Sequence, residues 1–138
     1  MKGKRRKSRE AALQGLYQWK LSGAEADAIE SHLRFEGDFS KLDEAYFSNL
    51  LKGAISESQR LVEELQPHLD RPFSELSPVE ASILLLASFE LVHQPEIPYR
   101  VVINEAVELA KRYGGTDGHK YVNGVLDKLA SRLRPFES

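Results

Sequence analysis

The chain has 138 residues, 41% of them hydrophobic, with 19 Lys+Arg against 21 Asp+Glu, four His and no Cys. That length fits one domain, or two small halves sharing a core, and that apolar content argues against global disorder. The lack of cysteine excludes disulfides, thiolate catalysis and Cys-based zinc sites.

The chain opens on charge. Six of the first nine residues are basic, namely Lys2, Lys4, Arg5, Arg6, Lys7 and Arg9. Without them 13 basic residues face 21 acidic ones, so a cationic tip is joined to an acidic body. Such a body repels phosphate, which concentrates attraction for a polyanion at one end. A solvated tail that aids solubility is the other reading, and the run alone does not separate them. Gln14, Gln18 and Lys20 interrupt the apolar pattern that follows, so no signal peptide is expected. The longest apolar stretch, 83–87, is too short for a bilayer, so the expected address is the cytosol, with no membrane partner.

Apolar positions then recur at three and four, which predicts helices nearly from end to end. The first is expected to open at Ser8 as N-cap and to bury Ala12, Leu13, Leu16 and Trp19, with Tyr17 at the border of that stripe and a stop near Gly23. A short second helix covers about 24–35. Ser40 can cap a long third helix carrying Phe47, Leu50, Leu51, Leu61 and Leu65, loosened at Gly53 and ended by Pro67. The break at 70–72 divides an N-terminal helical half, about 1–70, from a C-terminal half, about 71–138. Ser77, Pro78 and Glu80 give the fourth helix a capping box, and its apolar run from Ile83 to Leu91 predicts a central, buried element. A fifth helix starts at Pro98 and stops at Gly114-Gly115. A sixth is capped by Thr116 or Asp117 and stopped by Arg134-Pro135. The fold class is therefore all-α, two small bundles packed together, with six to seven helices.

Little enzymatic chemistry is present. No two of His32, His68, His93 and His119 stand three or four apart, so no metal site is expected. Gly114-Gly115 precedes a helix but lacks the Lys-Ser/Thr of a phosphate-cradling loop, and no serine has a strand-turn-helix context. No catalytic residue and no cofactor is expected. What remains is a binding surface at 113–121, where Tyr113, Asp117, His119, Lys120 and Tyr121 crowd one helix junction. Rings that stack on bases, beside cations that hold phosphates, suit single-stranded RNA. Core packing of both rings is the alternative, and spacing alone leaves it open.

The run Asn104-Glu105-Ala106-Val107-Glu108-Leu109-Ala110-Lys111, with His119-Lys120-Tyr121-Val122-Asn123-Gly124-Val125-Leu126-Asp127, resembles the C-terminal signature of the transcription antitermination factor NusB family. Arg5-Arg6-Lys7-Ser8-Arg9-Glu10, Ala12 and Leu16-Tyr17 are similar to that family's arginine-rich start, and Leu76-Ser77-Pro78-Val79-Glu80 and Pro98-Tyr99 also fit. The resemblance spans essentially the whole chain. It implies a non-enzymatic cytoplasmic factor that binds single-stranded boxA RNA with the ribosomal protein NusE. It further implies a place in the RNA polymerase antitermination complex on ribosomal RNA operons. The RNA-facing positions it implies are Arg5, Arg6, Lys7, Arg9, Tyr113, Asp117, Lys120 and Tyr121, and the NusE-facing ones are Tyr17 and Glu80. Tyrosine stands at 113 and 121 where the family often has phenylalanine, and Ser8 where it often has alanine. Asp117 and Glu80 each have a second reading as helix caps. A homodimer that hides the basic surface stays open. Two other functions do too: an RNA-binding domain of the kind fused to rRNA cytosine methyltransferases, whose methyl-donor domain is not expected in a chain ending at Ser138, and a structural helical dimerisation module.

Overall fold

A computed structural model describes residues 2–137; Met1, Ser138 and the side chain of Lys2, first of the six basic residues, lie outside the described residues. Among the described residues there are seven α-helices and no strand. They are α1 (Lys2–Ser22), α2 (Ala26–Glu36), α3 (Glu44–Ser56), α4 (Ser58–Leu65), α5 (Pro78–His93), α6 (Tyr99–Tyr113) and α7 (Gly118–Leu133). α1 packs on α2 and α3, α6 packs on α7, and α5 packs against α1, α3, α4, α6 and α7.

α5 takes that central place because no side of it is polar. Every residue from Ala81 to Leu91 is buried, including Ser82, Ser88 and Glu90. Both serine hydroxyls donate back to carbonyls four residues earlier, which satisfies them within the helix. α3 comes so close to α5 that a Cβ on Gly53 would lie 2.3 Å from Cε1 of Phe89. Gly53 thus serves close packing and does not loosen the helix. The break between α3 and α4 falls later, at Glu57.

Several boundaries differ from the sequence expectation. α1 begins at Lys2, so Ser8 is no N-cap. It is fully buried in mid-helix, donating to the Lys4 carbonyl at 2.8 Å and accepting from the Asp43 amide at 2.9 Å. α3 is capped by Asp43, which accepts from the Tyr46 amide, and not by Ser40. Ser77 caps α5 by accepting from the Glu80 amide at 3.2 Å, but the Glu80 carboxylate accepts from Gly115 instead, so only half of the capping box is made. Asp117 occupies the N-cap position of α7 without a side-chain cap bond, in a left-handed conformation with φ of 63°.

Two buried arginines anchor α5, one from α1 and one from the residue after α7. Arg9 of α1 donates to the Glu90 carboxylate of α5 at 2.8 and 2.9 Å, and Tyr46 of α3 donates its hydroxyl to the same group. Arg134 donates to the carbonyls of Leu91, Gln94 and Ile97 at 2.9–3.0 Å, closing the C-terminal end of α5 that has no helical partners.

Candidate nucleic-acid interface

Extending α1 to Lys2 puts the basic run on a helix, and helical periodicity then sorts its members. Arg9 points inward. It is 5% exposed, and its partners Glu90 and Tyr46 hold its guanidinium firmly charged. The sequence marks it as a phosphate ligand; in the fold its Nε–Nη2 edge is forked onto the buried Glu90 carboxylate, so that edge is taken before any RNA arrives. Arg6 lies on the surface but is also forked, onto Glu105 of α6 at 3.0 and 2.7 Å, which raises its already high pKa. Arg5 rests 4.5 Å above the centre of the Tyr46 ring, and Lys7 is exposed. Arg5 and Arg6 line one groove with Pro98, Val101, Asn104 and Glu105, where the start of α6 passes the start of α1.

The 113–121 junction is looser than the sequence suggests. Tyr113 is 48% exposed and donates to Glu10 of α1, which also pairs with Arg112. Tyr121 is half-buried against the core, and its hydroxyl donates to Asp70 at 3.0 Å with Arg71 over the ring. The two rings thus face different neighbours, α1 in one case and the connection before α5 in the other. Arg71 foremost, then the Tyr121 hydroxyl, draw the Asp70 carboxyl down to about 2. Asp117 and Lys120 are exposed and pair at 3.3 Å.

The expected partner residues also separate. Tyr17, 38% exposed, lines an apolar groove with Leu13, Val79 and Tyr113. Glu80 does not line it. Its carboxylate lies under the turn that enters α7, accepting from the Gly115 amide at 3.3 Å. A Cβ on Gly118 would come within 2.4 Å of that carboxylate, so the small residue makes room for it.

Residues 6–131 match the model of the NusB family. The chain belongs to the NusB family. It is 65% identical over 129 residues, 94% of this chain and 82% of the relative, to the transcription antitermination protein NusB of Nitrosospira multiformis. T. maritima NusB superimposes with a TM-score of 0.80 at 29% identity, covering 91% of this chain and 89% of that one. A structure of antitermination factors NusB and NusE in complex with dsRNA matches with a TM-score of 0.79 at 23% identity, over 92% and 96% of the two chains. At that identity the likeness shows the fold. NusB proteins are transcription antitermination factors and not enzymes. Among the described residues of this NusB-family chain, no group of three His, Cys, Asp or Glu could hold a metal, and no helix is long and apolar enough to cross a membrane.

Sequence reasoning missed two sets of residues. Glu10 and Glu105 neutralise surface arginines, and nothing local marks them, because their partners lie about a hundred positions away. The other is Val79, which completes the groove at Tyr17 together with Tyr113, a ring the sequence marks as RNA-facing and which ends α6 outside the buried stripe of Val102, Ala106, Leu109 and Ala110.

Proposed function

We propose that this chain binds boxA-type single-stranded RNA together with NusE, and so promotes processive transcription of ribosomal RNA operons by RNA polymerase in the cytoplasm. The observation that carries this reading is the cationic end of α1, with Arg6 and Lys7 exposed and Arg5 part-buried on Tyr46, on a body in which acidic residues outnumber basic ones. Attraction for a polyanion is thereby confined to one place. Tyr113, Asp117, Lys120 and Tyr121 form the second part of the RNA surface, Tyr113 being the more exposed of the two rings. The partner surface is the apolar groove at Tyr17, with Glu80 behind it steadying the turn into α7. A part-exposed tyrosine over an apolar floor is a typical interface anchor. The neighbour solved with NusE and dsRNA supports a fold compatible with both partners.

The test is an anisotropy titration with single-stranded boxA RNA and its duplex, over a range of salt, with and without purified NusE. Single-strand preference, a steep loss of affinity with salt and tightening by NusE are the expected results. Salt-independent binding, or none, would return the chain to the structural-module reading. Glu80→Lys is expected to weaken NusE binding sharply. Glu80→Gln, which keeps an acceptor for Gly115, should weaken it only modestly.

A further inference from the structure

The cleft between α1 and α6 is lined by three arginines, Arg6, Arg9 and Arg112, and three glutamates, Glu10, Glu105 and Glu108. Cations and carboxylates match in number, so the cationic end of the molecule is partly neutralised from within. Glu105 stands between two arginines of unequal freedom. Its carboxylate takes the Arg6 fork at 3.0 and 2.7 Å and lies 3.6 Å from Nη1 of Arg9. The Arg9 side chain is 6% exposed and anchored on Glu90, whereas that of Arg6 is 59% exposed. Glu105 itself is 16% exposed, so it cannot swing far from the cleft.

A guanidinium fork accepts a carboxylate or a phosphate in the same two-bond geometry. A phosphate approaching the Nε–Nη2 edge of Arg6 therefore meets an edge that is already filled. We propose that Glu105 is an internal competitor for the phosphate at Arg6, so that RNA binding exchanges one anion for another at this guanidinium while Glu105 stays behind on Arg9. The proposal rests on the RNA reading above. It makes Glu105 a discrimination residue. A lone phosphate gains little by displacing it, whereas a strand held elsewhere on the surface does so at small cost. A partly exposed ion pair of this kind weighs about 1.4- to 5-fold in an equilibrium constant. Because Arg6 is already neutralised in the free protein, its phosphate contact also releases fewer counterions than the ~0.7 expected per single-strand contact.

The experiment is a double-mutant cycle in the full chain with Glu105→Gln, Arg6→Gln and the pair, titrating single-stranded boxA RNA at several salt concentrations. The expected result is about 2- to 5-fold tighter binding by Glu105→Gln, with a salt slope steeper by up to ~0.7. Arg6→Gln should weaken binding, and the double variant should match Arg6→Gln alone. Glu105→Gln tightening binding equally when Arg6 is absent would mean simple charge repulsion and would overturn the proposal. No tightening by Glu105→Gln, while Arg6→Gln still weakens, would overturn it too and leave the RNA reading intact. Wild-type protein without salt-dependent RNA binding would remove both. Thermal melts check folding, and Glu105→Asp, which shortens the reach to Arg6 but keeps the charge beside Arg9, replaces Glu105→Gln should that variant unfold. The Arg6 Nε–H resonance gives a second readout: it should shift on RNA addition in the wild type, and an unmoved resonance under saturating RNA would contradict the exchange.

Discussion

Arg9 is the residue whose environment changes its meaning most. Its guanidinium and the Glu90 carboxylate are both buried, so loss of one strands the other. Breaking such a pair costs about 3–5 kcal/mol, far more than an exposed one. We expect Arg9→Ala to lose stability of that order in chemical denaturation, and Arg9→Ala with Glu90→Gln to recover part of it. RNA affinity of the folded Arg9→Ala fraction should stay near wild type, which separates a structural arginine from a phosphate ligand. Asp70 makes a pH prediction at the same scale. Its carboxyl is drawn to about 2 by Arg71 and by the Tyr121 hydroxyl, below its value of 3.8 in the absence of those partners. A depressed carboxyl stabilises the fold above its unfolded value, and that contribution disappears as pH falls through the folded one. The Asp70 contribution should therefore be intact above about pH 4 and fade toward pH 2. A carboxyl-detected NMR titration should show the Asp70 midpoint rising in Tyr121→Phe, though only in part, because Arg71 is the larger cause.

Helices pack here by close approach more than by matched stripes. At the α3–α5 crossing, Gly53 lies directly against the Phe89 ring, which is 4% exposed. Alanine in place of a mid-helix glycine gains about 1 kcal/mol of helix propensity. Forcing a methyl into a filled core costs about 1–3 kcal/mol, and the buried ring cannot swing away. Overpacking should win, so Gly53→Ala is expected to lower the denaturation midpoint, and Phe89→Leu in the same chain to restore much of the loss. The reverse sign would show that α3 and α5 can part without cost. The turn into α7 works by different means. Glu80 holds the Gly115 amide there while Gly118 leaves room for its carboxylate, and Asp117 takes a left-handed backbone that aspartate tolerates better than most residues.

For the molecule as a whole, charge is divided between a cationic edge and an acidic remainder, and the edge is shielded by glutamates of α1 and α6. Replacing Arg5, Arg6 and Lys7 together with alanine should make the salt dependence of single-strand binding shallower by roughly 0.7 for each phosphate that no longer has a cation beside it, with Arg6 contributing least. Stability should change little, because none of the three is buried. An unchanged slope would assign the run to solubility.

Much of this was legible in the sequence. The apolar period of three to four, the all-round apolar run of α5, its Ser77-Pro78 start and the stops at Gly23 and Gly114 are local signals, and local chemistry determines where a helix can begin, end and bury a face. The signature runs likewise placed the chain in its family. Tertiary structure decided the rest, because it depended on which distant groups meet. Ser8 reads as a cap until Asp43 arrives to bind it, and Arg9 reads as a phosphate ligand until Glu90 buries it. Glu80 reads as half of a capping box until Gly115 takes its carboxylate. A polar side chain takes the best partner within reach, and only the folded chain determines which partners those are.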